Sequence, residues 1–139
     1  MATADSAADR LRGDDARLRP ILLFLSVGQL GLGALMAVAP GTFFDAVADF
    51  GARNDHFLRD MSTFYLALGV VLLVAVDRPA WRTPVLALGA LQYGLHALNH
   101  LLDIADADPG WVGPFDFVSL AVVAGLFLYA LRTAALPPR

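Results

Sequence analysis

Nineteen consecutive residues, Ile21 to Ala39, carry no charge and only two polar side chains, Ser26 and Gln29. As a helix this run is about 28 Å long, close to the roughly 30 Å hydrocarbon core of a bilayer. Few soluble folds can bury such a segment on all sides in a chain of 139 residues. A secretory leader is the rival reading, because Ala37-Val38-Ala39 resembles a cleavage site. Four Asp precede the run, it exceeds an ordinary leader core, and Pro40 would become the first mature residue. The run therefore reads as a first transmembrane helix.

Three further segments have similar length. Residues 57–76 and 114–132 are nearly continuous apolar stretches, and 84–103 is apolar with polar residues at intervals. The hydrophobic fraction of 58% lies above the roughly 45–50% of soluble domains, and mean hydropathy is +0.61. The expected fold is all-α, an integral membrane four-helix bundle with spans at about 21–39, 57–76, 84–103 and 114–132. Residues 1–19, which mix Asp with Arg, read as a polar tail or frayed helix, and 133–139 as a short C-terminal tail.

Between the first two spans, Thr42 can cap a short helix. Phe43, Phe44, Val47 and Phe50 fall near one face of it, and Asp45 and Asp49 lie off that face. This is the pattern of an amphipathic helix in the membrane interface, ended by Gly51. Asn54 or Asp55 can cap the second span. Trp81 and Trp111, in the two loops flanking the third span, suit the interface.

All ten basic residues are Arg, all thirteen acidic ones are Asp, and Lys, Glu and Cys are absent. Without cysteine there are no disulfides, thiolate nucleophiles or iron–sulfur sites. The net charge of −3 and the lack of a basic patch argue against nucleic-acid binding. Arginines flank the spans unevenly. The N-terminal segment, the 2–3 loop and the C-terminal tail hold eight, whereas the opposite side has only Arg53 and Arg59. The positive-inside rule then places both termini in the cytoplasm of a multi-pass cell-membrane protein.

The third span contains the feature that invites a function. His96, Asn99, His100 and Asp103 recur at i, i+3, i+4 and i+7, one polar stripe on a helix, with Gln92 a turn earlier. Polar groups within a span are costly unless partnered or wet, and so mark a functional-site hypothesis. Helix direction brings His56, Arg59 and Asp60 of the second span and Asp116 of the fourth to the same outward end. His96, about 18 Å along its helix from Pro84, is the expected floor of that cluster.

Several chemistries fit. His96 and His100 could share a metal completed by Asp60, Asp103 or Asp116, or one of them could ligate haem. A quinone-like or proton-handling site could use the same His and Asp residues. The set can equally be structural, with interhelical hydrogen bonds from His96, Asn99 and Gln92 and an ion-pair network of Arg59, Asp60 and Asp116. No nucleophile elbow or oxyanion loop is encoded. The leading expectation is a binding or accessory module with an outward-facing polar pocket; the alternative is a small membrane redox protein or enzyme. Expected partners are the lipid bilayer and a second copy or another membrane subunit.

A faint internal repeat is visible. Gln29-Leu-Gly-Leu-Gly-Ala-Leu35 parallels Gln92-Tyr-Gly-Leu-His-Ala-Leu98, and the Asp60/Gly69 spacing parallels Asp116/Gly125. A duplicated helical hairpin would produce this. Close helix contacts are expected at Gly33/Ala37, Ala90/Gly94 and Ala121/Gly125.

The four-span layout, the short 2–3 loop and the Arg59-Asp60 pair opening the second span together resemble DoxX-like small bacterial membrane proteins. That resemblance covers residues 20–132 in layout. It implies a redox-linked accessory role and transfers no functional residue.

Overall fold

The computed structural model describes residues 2–47, 51–107 and 109–135, with side chains described from residue 13 to 134 within those ranges. Asp49, Phe50 and residues 136–139, which figured in the expectations above, lie outside the described residues. Every described element is helical: α1 (Ala2–Val38), α2 (Pro40–Val47), α3 (Asp55–Asp77), a 3₁₀ turn (Pro79–Trp81), α4 (Arg82–Leu102) and α5 (Val112–Ala135).

The boundary expected at Pro20 is not one, because α1 runs through it. Proline withdraws the N–H that would bond the Ala16 carbonyl and normally breaks a helix. Packing outweighs that loss. Leu18, Leu22, Leu25, Gln29, Gly33 and Met36 are buried at successive helical spacings, one unbroken stripe that crosses the proline. Two ion pairs tie down the segment before it. Arg19 Nη2 lies 2.8 Å from Asp77 Oδ1, and Asp15 Oδ1 lies 2.7 Å from Arg82 Nη2.

α1 packs chiefly on α3, and α4 chiefly on α5. Both pairs are antiparallel. In the first, Ser26 Oγ donates to the Gly69 carbonyl at 2.8 Å. The backbones approach closely at two reciprocal points, where a Cβ on Gly33 would meet Leu66 and one on Gly69 would meet Leu30. In the second pair Phe127, fully buried, fills the space that Gly89 leaves and stacks on Tyr93 with ring centroids 5.4 Å apart. Of the glycines in the expected small-residue pairs, only Gly33 is such a point; Gly94 and Gly125 face open space, although Ala90 is buried. The two antiparallel pairs correspond to the two halves of the repeat, but its glycines do not pack alike: Gly69 is tightly packed and its counterpart Gly125 is not.

The ends of the helices follow local chemistry. Asn54 caps α3, its side chain accepting from the Phe57 N–H at 3.1 Å. Thr42 is not the cap of α2; Pro40 occupies the first helical position, where its missing N–H costs nothing. Phe43 of α2 is buried, Phe44 and Val47 half-buried, and Asp45 exposed. Gly51, in the left-handed region at φ 75°, turns the chain toward α3. Arg53 lies over Gly41 and pairs with Asp55, holding α2 against the start of α3.

Arg82 was expected only to flank a span. It is buried instead, donating from Nε to the Ala75 carbonyl at 3.0 Å and from Nη2 to the Val76 carbonyl at 2.9 Å. These carbonyls end α3 and have no helical partner of their own.

Among the described residues three helical segments are long and apolar enough to cross a membrane: Gly13–Val38, Asp55–Asp77 and Val112–Ala134. Their outward surfaces are apolar, with Phe24 and Val122 about two-thirds exposed. Such surfaces are costly in water and match the chemistry of lipid.

Candidate functional site

α1 and α4 finish, and α3 and α5 begin, at one end of the fold, where α2 packs on α1 and α3. All five helices contribute to a cavity of about 480 Å³ at that end. Its size falls in the ordinary range of small-molecule sites, and so does its character of mostly apolar walls with a few polar groups.

The apolar walls come from α1 (Leu32, Met36), α2 (Phe43, Val47) and the facing sides of α3 and α5. The inward face of α4 supplies Tyr93, His96, Asn99 and His100. α5 adds Asp116 and Ser119. Phe57 and Phe115, each more than half exposed, stand in the first turns of α3 and α5 at its rim.

Four of the residues expected from the sequence thus meet around one space: His96, Asn99, His100 and Asp116. His96 Nε2 and His100 Nε2 are 3.2 Å apart, so one ring donates and the other accepts, and the two cannot both be doubly protonated there. His100 Nδ1 lies 3.9 Å from Asp116 Oδ2. Asp116 is only 6% exposed, and its Oδ2 accepts no hydrogen bond among the described residues. Asp103 caps α4 and lines an adjoining cavity of about 250 Å³, which shares Asn99 and His100 with the larger one.

The other expected members lie elsewhere. Gln92 is half-buried and does not face the cavity. His56, Arg59 and Asp60 are exposed on the first turns of α3. His56 Nε2 contacts Asp60 Oδ2 at 3.4 Å along the helix, a pair turned away from Asp116. Arg59, Asp60 and Asp116 form no ion-pair network with one another. Spacing along α3 put these residues at the correct end of the helix; its rotation put them on the outside.

Nor is His96 the floor. Tyr93, one turn further into the fold, lies below it, and Tyr65 faces the same space from α3. The Tyr93 hydroxyl accepts from Gln29 Nε2 at 2.6 Å, a buried contact joining the two helix pairs, while Gln29 Oε1 has no partner among the described residues. Tyr93 had a sequence signal: it precedes His96 by three and His100 by seven, on the same stripe.

Among the described residues the donor set does not gather into a metal centre. No group of three or more His or Asp side chains among the described residues is gathered closely enough to hold an ion. His96, His100 and Asp103 in particular supply two neighbouring nitrogens and a carboxylate that lines a different cavity. The arrangement suits hydrogen bonding to a guest whose body is apolar.

No family model matches the chain, and no curated protein or solved structure is similar to it. The reading of the site therefore rests on its geometry.

Proposed function

We propose that this is an integral membrane binding module with four spanning helices and both termini in the cytoplasm. It holds a small amphipathic molecule in an outward-facing pocket, as a ligand-binding or accessory subunit of the cell membrane. The observation that carries the binding reading is the cavity of about 480 Å³, apolar except where His96, His100, Asn99, Asp116 and Ser119 face it. The DoxX-like layout is in keeping with an accessory role and adds no residue to it.

The fourth span requires an argument, because α4 falls short of the apolarity of the other three. Tyr93, His96 and His100 lie on the side that faces the cavity, while Asn99 is exposed at its edge and Gln92 lies off it. The opposite side is a stripe of leucines, with Leu88 at 50%, Leu91 at 62%, Leu95 at 58%, Leu98 at 51% and Leu102 at 75% exposure. A helix that shows leucine outward and polar groups inward is suited to lipid on one side and a wet pocket on the other. Mean hydropathy averages the two faces and hides this.

Because the chain has no cysteine, single-cysteine labelling can test the topology directly. Ala105→Cys, between α4 and α5, is expected to react with a membrane-impermeant maleimide on intact cells. Ala80→Cys, between α3 and α4, should react only after permeabilisation. Labelling of both from the same side would remove α4 from the membrane, and the reversed pattern would invert the orientation.

For binding, the expected result is saturable uptake of octanol by protein in phosphatidylcholine nanodiscs, above that of empty discs, measured by equilibrium dialysis. Val123→Trp, which places a large side chain in the cavity, should lower that uptake by about tenfold or more. Equal uptake by wild type and variant would sink the pocket reading.

A further inference from the structure

The polar groups around the cavity are unequal in what they lack. His96 and His100 bond to each other, and Tyr93 accepts from Gln29. Asp116 is different. It is more than nine-tenths buried and lines the cavity, and among the described residues one carboxylate oxygen accepts nothing. No described arginine faces the cavity, and the described basic group nearest that oxygen is His100 Nδ1, at 3.9 Å, beyond hydrogen-bonding distance. A carboxylate buried against apolar walls is costly unless a donor, best a positively charged one, completes its shell. Asn99 and Ser119 also line the cavity, and each can accept a hydrogen bond from a guest.

We propose that the molecule recognised by this pocket is a cationic amphiphile, an alkylammonium whose N–H donates to the Asp116 carboxylate while its apolar chain lies against Leu32, Met36 and Val123. This rests on the binding reading given above and names the class of ligand. The aromatic rings of Phe57 and Phe115 at the rim suit a cation on its way in, since a ring face attracts positive charge. A carboxylate-headed amphiphile would instead meet Asp116 as a like charge.

Three ligands of equal chain length separate the possibilities: octylamine, octanol and octanoate. Each is titrated into the full-length protein in phosphatidylcholine nanodiscs, with empty discs subtracted. Octylamine is expected to bind about tenfold or more tightly than octanol, the scale of one hydrogen bond to a buried charge, and octanoate most weakly. In Asp116→Asn, which keeps the shape of the side chain, the amine should fall to the level of the alcohol while octanol is unchanged. The wild-type series stands alone if that variant fails to fold.

Equal affinity for amine and alcohol in the wild type would overturn the cationic assignment and leave the pocket reading standing. A preference for amine that survives Asp116→Asn would overturn the role of Asp116. If none of the three binds above the empty discs, the pocket reading fails with it.

Discussion

Replacing Arg82 with Met is expected to destabilise the protein by about 3 kcal/mol, the scale of leaving two buried carbonyls without the donor they now have. Met is close in length and fits an apolar site, so lost packing contributes little. What remains uncompensated is polar. The Ala75 and Val76 carbonyls lose their donors, and Asp15 loses its ion-pair partner. Asp15 is 42% exposed and water can take over its part, so most of the cost falls on the two carbonyls. Arg82→Lys should recover part of the loss. An ammonium keeps the charge, but it lacks the planar fork that reaches two carbonyls and a carboxylate together. In mild detergent the thermal midpoint of Arg82→Met should fall by roughly 10 °C. A midpoint equal to that of wild type would show that Arg19, which also reaches Val76 O at 3.4 Å, closes the end of α3 unaided.

Gly89→Leu should be as damaging, for a steric reason. A Cβ alone at that position already runs into the Phe127 ring, which is completely buried and stacked on Tyr93, and so has nowhere to withdraw. Overpacking of this kind costs about 3 kcal/mol. Exchanging glycine for a good helix former returns only about 1 kcal/mol. Gly94→Leu, on the same helix with open space around it, is the control and should be neutral or slightly stabilising. The difference between the two midpoints isolates the Phe127 contact from helix propensity. Phe127 also supports Tyr93 in the cavity, so Gly89→Leu should weaken octanol uptake even in the fraction that remains folded. Retention of both midpoint and uptake would mean that α5 can slide past α4 without cost.

The outline of the fold could be read from the residues because hydropathy and helix period act locally. The three most apolar segments, the Asn54 cap and the connector helix with Phe43 turned inward all follow from spacing. Pro20 shows where local rules stop. Its cost is local, but the Leu18–Leu22–Leu25 stripe that outweighs it exists only once α3 is present. Arg82 was legible as a charge beside a span, yet its role depends on carbonyls of a helix reached through a 3₁₀ turn.

The site divides in the same way. His96, Asn99 and His100 share a stripe, and a stripe on one helix can be counted in the sequence. Asp116 joined them because antiparallel pairing returns the start of α5 to the end of α4. His56, Arg59 and Asp60 reached the same end by the same logic and still face outward, since rotation about the axis of α3 is set by which of its residues pack on α1. The Gln29–Tyr93 bond crosses between helix pairs, so no spacing along either helix could reveal it.

The separation of the fold into two antiparallel pairs has a consequence for how such a chain can change over generations. The contacts that hold each pair together (Gly33 with Leu66, Gly69 with Leu30, Gly89 with Phe127) lie within the pairs, whereas the cavity lies at their seam. A substitution at a seam position such as Ser119 can reshape the guest-binding space while leaving those three contacts in place. A lineage built this way can alter its guest through Ser119 in single steps that each pass through a folded protein, whereas Tyr93, which lines the cavity and also stacks on Phe127, is held to both tasks.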